Sequence, residues 1–331
     1  FLIVGIPGLL LALLIFTLRE PTRGQSEGLS APPPHPAPFR AFLKELVTIV
    51  PPFTLIGAAQ GGAVAFGRNI AGLALIAGLV SGLVALGEPA PQWIAIGIGV
   101  YAVFSWASAL KRRDPPTFAL IVANPAFLLT VVAYGLNAFL SYTVSFWASP
   151  YAIRVLGATP AEAGFIIGGM GAMSGFLGVT IGGLAADRLR RRNPAGRLIV
   201  VMFGAVVPSL AIATAFSTSN ITLFYLMLFP AQACASCALG AAAATTQDLV
   251  MPRMRGTATG TFLIGTTLLG LAMGPYLAGR VSTLSGSLSV GVLSMLVVVP
   301  VTLAAAIFAY RLVPAAEANR EARARAAGEV I

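Results

Sequence analysis

Long apolar segments recur along the chain and are separated by short polar connectors. A helix that crosses the hydrocarbon core of a bilayer needs about 20 mostly apolar residues, and nine segments meet or approach that length. They cover residues 1–18, 67–87, 91–110, 125–148, 161–186, 198–216, 221–247, 257–280 and 288–312. The pattern predicts an all-α, polytopic membrane protein.

The connectors between these segments predict how the spans are grouped. Because the chain opens at Phe1 within an apolar run, we interpret residues 1–18 as the last transmembrane helix of a truncated N-terminal bundle. Residues 19–66 predict a cytoplasmic linker with an interfacial helix, since a Pro-, Ser- and Gly-rich stretch precedes mixed apolar and basic residues. The remaining regions are an inserted two-helix transmembrane hairpin at 67–110, a six-helix bundle at 119–313 and a basic cytoplasmic tail at 314–331.

Composition and charge agree with a bilayer as the solvent. Hydrophobic residues make up 57% of the 331 positions and charged residues 10%, with a mean hydropathy of +0.88, and a soluble core of this size could not hide that much apolar surface. The formal net charge of +10 would suit nucleic acid, but the basic residues fall in alternate connectors and leave only Arg154 and Arg280 predicted outside. This positive-inside distribution argues against nucleic acid and predicts a multi-pass protein of the inner (plasma) membrane.

Two connectors and the even group of six spans carry a family resemblance. GGLAADRLRRR (182–192), MPRMRGTATG (251–260) and the six-span group resemble the C-terminal part of a major facilitator superfamily transporter. The stretches VGIPGLLLALLIFTLREPTRG and DLVMPRMRGTATGTFLIGTTLLGLAMGP most resemble its spinster-like branch, whose members are linked to export of lipids, sphingoid compounds or amphiphiles. The resemblance implies two six-helix bundles that rock about a substrate site near mid-membrane. The extra hairpin implies a fourteen-helix variant.

The first of these connectors supplies candidate gate residues, which match the superfamily's cytoplasmic loop signature. Asp187 can accept charge-assisted hydrogen bonds from arginines or from backbone amides at a neighbouring helix start. Such a bond would lock one conformational state, whereas a stop-transfer charge cluster without a gating role is the alternative. The candidates in this connector are Gly182, Gly183, Asp187, Arg188, Arg191 and Arg192.

Arg253 and Arg255 extend the candidate gate to the second connector. Cations at a helix start oppose the helix dipole, so we expect each to have an acidic partner. Asp248 is the nearest acid in sequence, and Asp187 or an acid outside this chain are the alternatives. A topology signal without any gate contact explains the two arginines equally well.

Small and polar residues inside the spans predict packing and cavity surfaces. Glycines spaced by three and four residues share one helical face, where another helix can approach closely; they are Gly164, Gly168, Gly171, Gly175 and Gly178, followed by Gly182. Polar side chains inside a span face a cavity or a partner helix because hydrocarbon cannot solvate them. The substrate-cavity candidates are Tyr134, Asn137, Ser141, Tyr142, Ser145, Gln232, Ser236 and Thr261, with helix-to-helix hydrogen bonds as the alternative for each.

The resemblance implies a secondary active transporter that works by alternating access and exports an amphiphilic or lipid-like small molecule by proton coupling. A carrier of small polar organic acids or sugar-like solutes and a transport-inactive scaffold or sensor are the alternatives. No Asp, Glu, Lys, Arg or His falls in the middle of a predicted span of the six-helix group, so a coupling carboxylate is expected elsewhere. No nucleophile has an evident base, which argues against an enzyme. Cys234 and Cys237 lack a nearby histidine, so we expect no metal and no cofactor, and a monomer is favoured.

Overall fold

The computed structural model describes residues 2–18, 36–51 and 53–329. The chain divides into two compact units, Phe1–Glu45 and Leu46–Ile331. Phe1 and the linker residues 19–35 lie outside the described residues.

The first unit contains helix α1, Leu2–Ile15, which has 14 residues. At about 1.5 Å per residue its length is about 21 Å, which is shorter than the hydrocarbon core of about 30 Å. The residues after it tighten into turns, with Phe16 N–H donating to the Leu13 carbonyl at 3.3 Å. That residues 1–18 form a transmembrane span stays a prediction.

Helix α2, Pro38–Ile49, begins in the first unit and ends in the second. Its exposed residues include Phe39, Phe42 and Leu43, which share one face because they are three and four residues apart. A bilayer interface suits a helix with such an apolar stripe.

The second unit is built from helices joined by short connectors. They are α3 Phe53–Gln60, α4 Ala63–Ala85, α5 Ala90–Arg113, α6 Pro115–Ile121, α7 Pro125–Arg154, α8 Pro160–Arg190, α9 Arg197–Ser217, α10 Ile221–Asp248, α11 Arg255–Thr266, α12 Gly274–Ser285, α13 Leu288–Ser294, α14 Val298–Ala318 and α15 Arg320–Ala326. Eight segments in the described part of the chain are long and apolar enough to cross a membrane. The predicted all-α, polytopic class is confirmed.

Polar residues at the connectors start the spans. Asn124, Thr159 and Asn220 cap α7, α8 and α10, each accepting a hydrogen bond from a backbone N–H in the first turn. These caps satisfy amides that the helix itself cannot. At the end of α12, Gly286 adopts the left-handed conformation (φ 69°) that terminates a helix. The spans therefore begin and end where the sequence supplies a capping or turn residue.

Two apolar clusters hold α7–α14 together. One surrounds Phe127, Leu198 and Phe262, and the other surrounds Tyr151 and Phe216. In the second cluster the two rings lie 4.8 Å apart, and the Tyr151 hydroxyl donates to the Phe216 carbonyl at 3.1 Å. That bond satisfies a hydroxyl that would otherwise be costly to bury.

The span between α10 and α13 is not a continuous α-helix. A π-helical turn, Thr267–Leu271, separates α11 from α12. Gly270 within this turn and Gly274 after it bring the region against the backbone of α7, since a Cβ on Gly270 would lie 3.0 Å from the Ala138 Cβ and one on Gly274 would lie 2.4 Å from the Phe139 carbonyl oxygen. The break is therefore packed directly against the backbone of a neighbouring span.

Candidate functional site

A network of charged side chains ties four helices together at one end of the second unit. Arg197, the first residue of α9, donates to Asp187 of α8 at 3.0 Å and also pairs with Asp248 of α10. Arg190 of α8 bonds Asp248 at 3.3 Å and pairs with Glu317 of α14. Asp248 is thus shared by two arginines. We call the end of the unit that carries Asp187, Asp248 and Asp114 the basic end.

The residues predicted as a gate are not all part of this network. Asp187 does contact an arginine at a neighbouring helix start, as its chemistry suggested, and 65% of its side chain is exposed. Arg188, Arg191 and Arg192 are also exposed, and among the described residues none of them forms an ion pair. In this part of the chain the arginines that form ion pairs are Arg190 and Arg197. Both reach Asp248 of α10, and Arg190 also reaches Glu317 of α14.

Arg253 has different partners from those that sequence suggested. Its guanidinium bonds Asp114 through Nη1 at 2.8 Å and Nη2 at 3.0 Å, and it also pairs with Glu329. The prediction that Asp248 or Asp187 is its partner is wrong, because both acids belong to the α8–α10 network. Arg255 is the first residue of α11.

The Asp114 carboxylate is strongly stabilised. Hydrogen bonds from Arg253, and further ones from Thr117, outweigh partial burial and lower the pKa of Asp114 from 3.8 to about 2. Because the folded-state pKa is depressed, this carboxylate contributes to stability above about pH 4 and loses that contribution as the pH falls toward 2. The Asp114–Arg253 pair is therefore charged throughout the physiological range.

Residues 314–318 and 320–326, within the predicted basic tail, are helical. Arg320 donates to the Asp248 carbonyl at 2.9 Å. Arg323 donates to the carbonyls of Ala119 and Ala123 at 3.0 and 3.2 Å, at the C-terminal end of α6, where cations are favoured. This segment closes the basic end through main-chain contacts.

The glycine face of α8 is packed at one end and open at the other. A Cβ on Gly178 would lie 2.2 Å from the Ala233 carbonyl oxygen, and one on Gly182 would lie 2.4 Å from the Cys237 Cα. At Gly164, Gly168, Gly171, Gly175 and Gly183 no such contact exists within 4 Å. The close packing expected at the first four is therefore not supplied by the described helices, and α10 lies close to this face only at Gly178 and Gly182.

Four of the cavity candidates come together between α7 and α10. The Asn137 side-chain amide donates to the Ala235 carbonyl at 3.2 Å, and the Gln232 amide donates to the Ser145 hydroxyl at 3.2 Å. Asn137, Ser141 and Gln232 line a cleft with room for about one water molecule. We call Asn137, Ser141, Ser145 and Gln232 the polar stripe.

The other four cavity candidates lie apart from the polar stripe. Tyr134 stacks on Phe262 with ring centres 5.2 Å apart. Thr261 donates to the Thr257 carbonyl of its own helix at 2.8 Å, while Ser236 lies at the contact between α8 and α10. Tyr142 is 40% exposed.

At the opposite end of the unit, the turn between α4 and α5 grips α12. Glu88 accepts hydrogen bonds from the Tyr276 hydroxyl and from Arg280 Nε, the latter at 3.1 Å. The Trp93 ring meets the Tyr276 ring edge-on, with centres 6.0 Å apart. The bond from Tyr276 is the main reason that the pKa of Glu88 is lowered. An ion pair and an aromatic contact therefore fix the turn to α12.

The α4–α5 hairpin also supplies a hydrogen bond at the break between α11 and α12. The Gln92 side-chain amide donates to the Ala272 carbonyl at 2.8 Å, next to the π-helical turn where the regular helical bonding pattern is interrupted. Nearby, the Trp147 indole of α7 donates to the Pro275 carbonyl at 2.8 Å. Side chains from two other helices therefore satisfy main-chain oxygens at the break.

Several of these residues escaped sequence reasoning. Glu88 and Arg280 face each other across 192 positions, and nothing local pairs them. The sequence did contain a signal for this pair, because Glu88 lies in a turn predicted on the outer side and Arg280 is predicted on the same side. Gln92 gave no signal, because a glutamine near a helix start is ordinary.

The geometry defines a class of protein: a polytopic α-helical membrane protein with polar side chains between its spans and charge networks at both ends. Residues 130–330 match the sequence profile of the Major Facilitator Superfamily. The chain belongs to this superfamily of transporters.

Sequence similarity to proteins of other organisms points to the predicted branch. Protein spinster homolog 1 of Xenopus laevis is 27% identical over 191 residues, which cover 54% of this chain and 35% of the relative. The protein of the same name from Bos taurus is 30% identical over 176 residues, covering 49% and 33%. An MFS-type efflux pump of Mycolicibacterium smegmatis is 27% identical over 189 residues, covering 57% and 44%. The predicted resemblance to the spinster-like branch is confirmed, and the chain spans a third to under half of these relatives.

A solved structure is also similar. It is a bacterial homolog of the human lysosomal transporter Spinster in an inward-facing and occupied conformation, with 21% identity and a TM-score of 0.43. The match covers 70% of this chain and 56% of that one.

Proposed function

We propose that the protein is a secondary active transporter of the inner membrane that exports an amphiphilic small molecule by alternating access, coupled to protons. The observation that carries the proposal is the polar stripe. Asn137, Ser141, Ser145 and Gln232 lie on two helices long enough to span a bilayer, where polar side chains are costly unless they meet a partner or a solute. Superfamily membership and the similarity to an efflux pump and to spinster homologs support the same class of function.

In this proposal the polar stripe forms one wall of a solute pathway. The cleft itself admits about one water, so it is an anchoring point for polar groups rather than a complete binding site. An amphiphile fits such a wall because its polar head finds amide and hydroxyl groups while its tail meets the apolar residues around them.

Reconstituted transport tests this role. The full-length protein is placed in proteoliposomes, and efflux of fluorescent or radiolabelled amphiphiles is measured with and without a proton gradient. We expect Gln232→Leu to reduce efflux by about tenfold, because it removes a hydrogen-bonding group worth about 1–2 kcal/mol to a bound polar head. Thr214→Val is the matched control, since Thr214 is exposed in α9 and bonds only to its own helix.

The outcome separates the competing functions. Equal efflux by Gln232→Leu and the wild type contradicts a pathway along the polar stripe. Transport of sugars or organic acids in place of amphiphiles contradicts the proposed substrate class. Absence of any gradient-driven flux by the full-length protein contradicts a carrier and leaves a scaffold or sensor.

The network at the basic end is proposed to act as the cytoplasmic gate through Asp187. Asp187 is the most exposed acid of the network, so its bond to Arg197 can be broken without disturbing the rest, whereas Asp248 holds two arginines. We expect Asp187→Asn to reduce transport about tenfold and to change the free energy of unfolding by less than about 0.5 kcal/mol. Asp248→Asn should cost about 1–2 kcal/mol, because both arginines lose a charged acceptor.

Chemical unfolding in detergent, measured beside the flux assay, checks this distinction. Asp187→Asn with normal flux would remove the gating role. Asp248→Asn with wild-type stability would instead show that the network does not hold the four helices together.

A further inference from the structure

Three cations at the basic end of the α4–α5 hairpin lack an acidic partner. Arg68 lies in the second turn of α4, and Lys111 and Arg112 lie in the last turn of α5; all three are exposed. Within the described part of the chain, none of them forms an ion pair. Lys111 lies 5.7 Å above the centre of the Phe118 ring, and Arg112 Nε donates to the Ser108 carbonyl at 3.4 Å.

Contacts within the hairpin place Arg68 and Arg112 beside the same groove. A Cβ on Gly72 would lie 2.2 Å from the Phe104 ring, so these two positions face each other. One turn closer to the basic end, Arg68 on α4 is level with Ser108 on α5, whose carbonyl holds Arg112. Each of the two helices therefore carries an arginine near the same level, Arg68 on α4 and Arg112 on α5.

The third helix of the hairpin region, α3, reaches the same groove. Its C-terminal neighbour Gly61 leaves room for the Arg112 guanidinium, which a Cβ at that position would overlap. The guanidinium therefore lies at the end of α3, where the helix dipole favours a cation. This contact fixes the side chain at the mouth of the groove.

Among the described residues, no acid forms an ion pair with the cations of this groove. Glu88 lies at the opposite end of the hairpin, and Asp114 is already bonded to Arg253. Arg68 stands about 7.5 Å along α4 from its start, on a helix that also exposes Val64 (85%) and Ile70. An unpaired cation beside apolar surface at this depth is stabilised by the phosphates of the bilayer interface.

We propose that this groove binds the headgroup of an anionic phospholipid from the surrounding bilayer. Arg68 and Arg112 hold the phosphate, since guanidinium groups match its oxygens in a bidentate geometry, and Lys111 adds charge at the rim. The acyl chains lie along the exposed apolar residues of α4. The site is separate from the polar stripe between α7 and α10, so it binds a resident lipid and not the transported solute.

Lipid titration of the purified full-length protein tests the proposal. Binding of phosphatidylglycerol and of phosphatidylcholine is measured by native mass spectrometry for the wild type, Arg68→Gln, Arg112→Gln and Arg68→Lys. We expect phosphatidylglycerol to bind more tightly than phosphatidylcholine, and each glutamine variant to weaken phosphatidylglycerol binding about fivefold. Arg68→Lys should keep most of the affinity because it keeps the charge.

Arg311→Gln is the matched control. Arg311 is an exposed arginine on α14, toward the basic end but on a helix that does not pack against the hairpin. Equal weakening by Arg311→Gln would overturn the proposal, as would unchanged lipid binding in Arg68→Gln and Arg112→Gln. Displacement of the lipid by the same concentration of inorganic phosphate would show a phosphate site without lipid specificity and would also overturn it.

Discussion

Gly182→Ala is expected to destabilise the protein, although alanine is the better helix former. The added Cβ would lie 2.4 Å from the Cys237 Cα and 2.6 Å from its Cβ, so α8 and α10 would have to separate. Overpacking costs about 1–3 kcal/mol. Because the clash is with the backbone of Cys237 and not with a movable side chain, we expect a cost in the upper part of that range, above the gain of about 1 kcal/mol from replacing glycine in a helix. Thermal unfolding in detergent measures the difference.

Gly175→Ala on the same helix is the matched control and should shift stability in the other direction. No atom of the described chain would contact its Cβ within 4 Å, so only the gain in helix propensity remains. The two variants are expected to move the unfolding temperature in opposite directions. If both lower it by the same amount, the open and packed halves of the α8 face do not differ as described.

The double variant Glu88→Gln/Gln92→Leu is expected to release α12 from the hairpin. Glu88 holds Tyr276 and Arg280, and Gln92 satisfies the Ala272 carbonyl. With these bonds removed, the Ala272 carbonyl at the break between α11 and α12 loses its side-chain hydrogen-bond donor. Backbone amides of residues 272–280 should exchange with deuterium about tenfold faster, since each lost hydrogen bond weakens local stability by about 1 kcal/mol.

Hydrogen exchange measured by mass spectrometry tests whether Glu88 and Gln92 hold α12 against the hairpin, with Glu162→Gln as the control. Glu162 is an exposed acid in the first turn of α8, at the same end of the unit, and its replacement should leave residues 272–280 unchanged. If these residues exchange in the double variant at the wild-type rate, Glu88 and Gln92 do not hold α12. Equal acceleration in the control would instead show a general effect of removing an acid.

Sequence was sufficient for the features that depend on one segment at a time. Eight of the predicted spans follow from apolar length, and each matches a helix long and apolar enough to cross a membrane. The ninth, at residues 1–18, was predicted from hydropathy alone and stays a prediction; the described residues there hold the 14-residue helix α1. Three members of the polar stripe, Asn137, Ser141 and Ser145, were recognisable because they are four residues apart on one helix.

Features that depend on two distant segments were not accessible. The partners of Arg253 and Asp248 are chosen by which helix ends meet, and the nearest acid in sequence was the wrong guide. The glycine face of α8 looked uniform as a pattern, yet α10 lies close to it only at Gly178 and Gly182, so Gly178 and Gly171 have different surroundings. Helix periodicity reports a face, but the crossing point of two helices comes from tertiary packing.

The helical segment after Val313 has a practical consequence for protein engineering. Arg320 and Arg323 are tethered to main-chain oxygens of α10 and of the α6 end, and Ala324 is fully buried. A purification tag or fluorescent reporter that replaces this segment would leave those oxygens without their donors. Fusion partners should therefore be attached after Glu329. The hydrogen bonds from Arg320 and Arg323 then stay intact, and the expression level is not lowered by their loss.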